Sequence, residues 1–309
     1  MIIGKKQPKP VLFSEEYEAE YRIENEKAEF VKYIGTKEEY EVPEFFDGYE
    51  VEKIGKYAFA EHRNLTYVKL PVGIRKIEAH CFYNCRSLAH LEVGDQIEEI
   101  EDGAFKNCEQ LQHMILRTKP GRRLNIKNIL MDTTEGVRVT IYYEQEEGEE
   151  RAELIFPPYL VEYAENTPAR ILEKQAYGSG ERYRFCIYDG QLNFEQYDQL
   201  LDYSVAMDNL EYPIQCAIGR LRYPYTLKDQ YRERYEEFFE KYMDQILTYY
   251  VKREDKEVIQ WMLDGGRLTR ENLDRAMELC RIHGKHGILP MLMEYQNQYF
   301  RPKKKSFDL

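Results

Sequence analysis

The 309-residue chain lacks long apolar segments, paired cysteines and the short motifs of common enzymes. Its uncharged runs end at about eight residues, as in 154–161, whereas a membrane-spanning helix needs about 20. The six cysteines form no Cys-x-x-Cys pair, so no zinc ribbon or thioredoxin-type motif is indicated. No Gly-x-Ser-x-Gly, Walker, His-Glu-x-x-His or dinucleotide-binding pattern occurs. We therefore expect no enzyme activity, no cofactor and no membrane span.

The N-terminal residues also lack the apolar core of about 7–15 residues that a signal peptide needs, which favours a cytoplasmic protein. With 44 basic and 56 acidic residues the net charge is −12, and 43% of residues are hydrophobic, as in a folded chain. The length suggests two domains. The basic segment 301–309, RPKKKSFDL, is predicted to be a disordered tail, and we do not expect nucleic-acid binding because only one aromatic residue accompanies its lysines.

Three consecutive 23-residue blocks align without a gap, at 51–73, 74–96 and 97–119. Apolar residues recur at equivalent positions, among them Phe59, Phe82 and Phe105. Because one block cannot bury its own apolar face, the period predicts a solenoid in which the blocks stack. Alternation near the end of each block predicts a short outer strand, and the segment 56–62 predicts one helical turn. Each coil is thus predicted as strand, turn and short helix.

Several repeated residues match a known pattern: Ile54-Gly55, Ala58-Phe59, Ala104-Phe105, Cys85, Cys108, Leu88 and Leu111. By this pattern residues 29–119 resemble the BspA-like class of bacterial leucine-rich repeats. His62 stands where the class usually has Cys, and Cys81 where it usually has Ala. The resemblance implies a leucine-rich-repeat β-solenoid, and many members of the class are surface adhesins.

The C-terminal half changes from β alternation to helical spacing after Gln191. Residues 245–264 align with 275–294 at an offset of 30, which predicts two stacked helical hairpins. These hairpins resemble ankyrin repeats, although the Thr-Pro-Leu-His signature is missing. Helix N-caps are predicted at Asn193, Thr226 and Thr269 and a first-turn proline or a kink at Pro290.

The predicted fold class is α+β, a short leucine-rich-repeat β-solenoid with a β cap followed by an all-α helical-hairpin domain. The predicted boundaries are 15–119 for the leucine-rich-repeat domain, 120–190 for the β cap and connector, 191–300 for the ankyrin-like helical domain and 301–309 for the basic tail.

The candidate binding residues are the outward positions of the three predicted strands. They combine aromatic, charged and apolar side chains, and they are Tyr67, Lys69, His90, Glu92, His113 and Ile115. His90 and His113 lie one strand apart and could share a metal ion. Because their column continues to Tyr67 rather than to a carboxylate, we expect no metal site.

The leading hypothesis is a non-catalytic adaptor that binds a protein partner through its strand face and its stacked helices, since tyrosine is enriched at recognition surfaces. A second hypothesis is an enzyme or small-ligand binder at the domain junction near Arg184, Arg220 and Arg222. A third, a cell-surface adhesin, is disfavoured by the missing export signal.

Overall fold

The computed structural model describes residues 10–146, 148–166 and 171–300. The predicted basic tail, 301–309, lies outside these residues. The chain divides into two compact units after Leu227, and each unit is described separately. The predicted boundaries at 119 and 190 stay predictions beside this division. No helix in the described ranges is both long and apolar enough to cross a bilayer.

All the strands lie in the first unit. In chain order they are β1 (Leu12–Ser14), β2 (Ala19–Glu24), β3 (Lys27–Tyr33), β4 (Glu39–Glu41), β5 (Phe45–Phe46), β6 (Tyr49–Ile54), β7 (Tyr67–Lys69), β8 (Lys76–Ile77), β9 (His90–Gly94), β10 (Glu99–Ile100), β11 (His113–Thr118), β12 (Val137–Gln145), β13 (Gly148–Phe156), β14 (Leu160–Asn166), β15 (Ile171–Tyr177), β16 (Ile187–Tyr188) and β17 (Gln191–Leu192).

The helices begin after the repeat blocks. They are α1 (Lys127–Asp132), α2 (Gly180–Arg184), α3 (Phe194–Asp198), α4 (Leu201–Met207), α5 (Glu211–Arg222), α6 (Asp229–Lys241), α7 (Met243–Arg253), α8 (Lys256–Asp264), α9 (Arg270–His283) and α10 (Leu289–Tyr299).

The predicted solenoid is confirmed, with about five turns. Strands β4, β7, β9, β11 and β12 follow one another in parallel, and the antiparallel β13 completes this six-stranded sheet. Strands β6, β8 and β10 pair in parallel in a second sheet, which continues through the antiparallel strands β1 to β3. Each 23-residue block therefore contributes one strand to each sheet.

The core of the solenoid contains a stack of phenylalanine rings. Phe30, Phe59, Phe82 and Phe105 are fully buried, and successive ring centroids lie 4.9, 4.8 and 4.8 Å apart with interplanar angles of 9°, 2° and 16°. Each such pair contributes about 0.5–1.5 kcal/mol beyond its buried area. The blocks predicted to be equivalent thus place their phenylalanines in the same environment.

The prediction of a short helix in each coil is wrong. Two positions per block have a positive φ, which interrupts a right-handed helix. These angles recur at the 23-residue period, at Tyr57 (59°) and Glu61 (65°), His80 (58°) and Asn84 (61°), and Gly103 (65°) and Asn107 (64°). The segments form turns instead, and the second strand of each coil, such as β8, was not predicted.

Internal polar contacts explain the repeated cysteine. The Cys85 thiol donates to the Phe59 carbonyl at 2.9 Å, and the Cys108 thiol donates to the Phe82 carbonyl at 3.2 Å. His62 occupies the same repeat position, and its Nε2 donates to the Tyr33 carbonyl at 3.1 Å. A donor at this position therefore joins each coil to the preceding one, which accounts for the departure from cysteine at position 62.

Both ends of the repeat array are closed by later segments. At α1, the Asn125 and Asn128 amides donate to the carbonyls of Ile97 and Ile100, each at 2.7 Å, in place of a further strand. On the other sheet, the Tyr197 hydroxyl both accepts from the Ile155 amide and donates to the Ile155 carbonyl at 2.8 Å. Because these side chains satisfy the exposed strand edges, the solenoid is capped as expected.

The second unit contains α6 to α10, and the predicted pair of helical hairpins is present as α7–α8 and α9–α10. Their equivalence extends to the helix ends, because Glu254 and Gly284, 30 residues apart, both cap in the left-handed conformation with φ of 54° and 65°. The ankyrin-like assignment stays a prediction.

Three of the four predicted helix signals are confirmed. The Asn193 and Thr269 side chains accept bonds from backbone amides at 2.9 and 3.2 Å, and Pro290 lies in the first turn of α10. The N-cap predicted at Thr226 is wrong, because α6 begins after Lys228 without a side-chain cap.

Candidate partner-binding face

The six candidate residues lie in two columns on the six-stranded sheet. Parallel pairing aligns Tyr67 with His90 and His113, and Lys69 with Glu92 and Ile115. The side chains between them, Val68, Leu91 and Met114, are at most 1% exposed. Since alternate side chains of a strand point to opposite faces, the six candidates share the outer face, here named the strand face. Sequence reasoning therefore identified residues that the fold brings together, while their role in binding stays a prediction.

Hydrogen bonds and ion pairs hold the N-terminal part of the strand face. The Tyr67 hydroxyl donates to Glu92 at 3.2 Å, and Lys69 pairs with Glu41 at 3.2 Å. Glu92 also lies 3.5 Å from the Nε of Arg117. Burial, followed by the charge of Glu92, raises the pKa of Tyr67 to about 12, so its hydroxyl remains protonated and able to donate at neutral pH.

The two histidines differ in their surroundings. His90 is exposed, whereas His113 is half-buried and its Nε2 lies 2.9 Å from the Thr140 hydroxyl. Burial lowers the pKa of His113 to about 4, and the positive charge of Arg138 contributes. Their rings are 5.7 Å apart. No group of three or more His, Cys, Asp or Glu side chains that could hold a metal ion occurs in the part of the chain that the structure describes.

The strand face continues beyond the predicted residues onto β12 and β13. The Arg117 and Arg151 guanidinium groups lie 4.8 and 5.8 Å from the ring centroid of Tyr142, and Arg151 also lies 4.0 Å from that of Tyr223. Such contacts fix the planes of the cations over the aromatic rings. The alternation in VRVTIYYE, 137–144, could have indicated the outward Tyr142, but this stretch was assigned only to the cap.

The arginines of the alternative ligand site are used inside the protein. Arg184 is fully buried, and its guanidinium donates to the carbonyls of five residues, which are Leu130, Thr133, Glu135, Pro157 and Gly180. Arg220 is fully buried too and forms a bidentate pair with Asp198 at 2.7 and 3.0 Å. Arg222 is partly exposed. With two of the three cations engaged internally, the geometry does not favour an anion site there.

Comparison with known proteins supports the leucine-rich-repeat assignment. The first unit has the fold of a leucine-rich-repeat solenoid. Residues 42–129 match the family described as BspA type leucine rich repeat region, in 6 copies. This region of the chain is therefore a BspA-type leucine-rich-repeat region. A search of curated proteins finds no match.

Solved structures of leucine-rich-repeat proteins are similar over part of the chain. A leucine rich cell surface protein from Faecalibacterium prausnitzii is 21% identical over 38% of this chain and 38% of its own, with a TM-score of 0.32. A leucine-rich repeat protein from Bacteroides capillosus is 22% identical over 36% of this chain and 83% of its own, with a TM-score of 0.31. The T. pallidum leucine rich repeat protein is 20% identical over 34% and 72%, with a TM-score of 0.25. The chain thus spans less than half the length of the Faecalibacterium protein.

Proposed function

We propose that the leucine-rich-repeat region is a non-catalytic protein-interaction module that binds its partner on the strand face. The observation that carries the proposal is the alignment of Tyr67, His90 and His113 in one outward column beside a second polar column, above a fully buried layer. Proteins of this repeat type generally serve as interaction or surface modules.

The contacts of the strand face support recognition of a protein partner. Tyr67 is held by Glu92, and Tyr142 lies between two guanidinium groups, so these aromatic side chains are ordered before a partner arrives. Preordered side chains lose less conformational entropy on binding. Tyrosine and arginine are also the residues that contribute most to the energy of many interfaces.

We also propose that the helical hairpins form an ankyrin-like second contact surface. The 30-residue offset and the matching left-handed caps at Glu254 and Gly284 support this assignment. A cytoplasmic location is proposed as well, supported by the six free, buried cysteines, since reducing compartments keep thiols unpaired.

Affinity purification of the native full chain with mass spectrometry tests the proposed binding face. The test variant carries Tyr67→Ala, His90→Ala and His113→Ala, and the matched control carries Arg75→Ala, Glu98→Ala and Glu99→Ala, in the second sheet. We expect the wild type and the control to retain the same partners and the strand-face variant to lose them, with both variants folded by circular dichroism. Retention of every partner by the folded strand-face variant would contradict the proposal.

A further inference from the structure

The outer face of the last helical hairpin retains the apolar positions that stack one hairpin on the next. In α8, the Trp261 ring lies 6.0 Å from the Phe239 ring of α6. Ile259 and Leu263 are two residues away in each direction, about 200° around the helix, and so point away from α6. They are 0% and 3% exposed, and α8 contacts α10 of the following hairpin. This side of α8 is therefore part of the internal stacking interface.

The same positions in α10 are 30 residues later. Met291 corresponds to Trp261, and Leu289 and Met293 correspond to Ile259 and Leu263. Here Leu289 is half-buried and Met293 is 48% exposed. Terminal hairpins of repeat arrays usually have a polar outer face, which α10 does not have. The apolar surface of the stacking interface thus continues to the outside of the unit at α10.

The charge of α10 indicates which occupant fits this face. α10 has one charged residue, Glu294, whereas every other helix of the unit has at least three. The whole chain has a net charge of −12, so two copies repel each other over most of their surfaces. An uncharged apolar face is where contact between identical copies meets the least repulsion, and a two-fold contact needs only a self-complementary patch.

We propose that the chain forms a two-fold symmetric dimer in which the outer faces of α10 from two copies, centred on Leu289 and Met293, cover each other. The contact continues the hairpin stack from one copy into the next.

Sedimentation velocity of the full chain over a range of concentrations tests the proposal. The wild type should dimerise, and Met293→Glu should raise the dimer dissociation constant by about tenfold or more, because it places a carboxylate in each half of the contact. Gln298→Glu adds the same charge to α10 about 140° around the helix from Met293 and should leave the dimer unchanged. A wild type that stays monomeric at all concentrations, or a dimer that Met293→Glu leaves intact, would overturn the proposal.

A crosslinking experiment covers the case in which Met293→Glu perturbs folding. All six natural cysteines are buried, so Met293→Cys provides an accessible thiol. A short bismaleimide should link two copies of Met293→Cys efficiently and should link Gln298→Cys several-fold less. Equal or absent crosslinking of the two variants would contradict a contact centred on Met293.

Discussion

At the scale of single residues, Arg184 shows how a buried charge holds the cap of the solenoid. Its guanidinium is within 2.6–3.1 Å of five backbone carbonyls and lies 4.6 Å from the ring centroid of Tyr159. Burial lowers the pKa of Arg184 to about 10, which still leaves it charged at neutral pH. The residue type alone suggested a ligand site, because sequence cannot distinguish an arginine that faces solvent from one that satisfies carbonyls.

Arg184→Met should lower the free energy of unfolding by about 3–5 kcal/mol, because several buried carbonyls lose their only strong donor. Arg182→Met, in the same helix but exposed, should cost less than about 1 kcal/mol. Urea unfolding monitored by circular dichroism measures both values. Equal small losses for the two variants would contradict a structural role for Arg184.

His113 predicts a pH dependence of stability. Its pKa falls from 6.5 to about 4 on folding, so between these values the unfolded chain binds a proton that the folded protein does not. Stability from this site is therefore complete above pH 6.5 and is lost as the pH falls towards 4. His113→Gln should lose less stability than the wild type between pH 7 and pH 4.5 in urea unfolding. His90→Gln, at an exposed position, is the control, and identical slopes for all three proteins would argue against this effect.

At the scale of the elements, the turns of the coils determine the shape of the solenoid. Asn107 has a left-handed backbone, and its amide donates to Asn84 of the preceding coil at 2.7 Å, while Asn84 donates in turn to Glu61 at 2.5 Å. This column of side chains runs along the turns in the same way as the phenylalanine stack runs along the core. A helical turn was predicted there because apolar spacing does not report the sign of φ.

Asn107→Val should destabilise the protein by about 1–2 kcal/mol more than Asn107→Gly. Both variants lose the bond to Asn84, but glycine tolerates the left-handed conformation and a β-branched residue does not. Thermal unfolding of the two variants gives the difference directly. Equal melting temperatures would show that the positive φ at this position does not limit the fold.

At the scale of the whole molecule, the repeat period predicted the solenoid, its buried columns and the alignment of the strand face. Stacking requires equivalent positions such as Phe59 and Phe82 to meet, so the period alone carries this information. The extension of the strand face to Tyr142 and Arg151 could not be predicted in the same way. It depends on β12 pairing with β11 after the period has ended, which no repeated residue marks.

Site-specific photo-crosslinking of the full chain is the most direct test of the central claim that the strand face binds a protein partner. A photoreactive phenylalanine replaces His90 on this face or, as the control, Glu98 of the second sheet, which is also exposed. The account predicts a specific adduct from position 90 that the purified unlabelled wild-type chain competes away, and none from position 98. An adduct with the same partner from position 98 alone would contradict it.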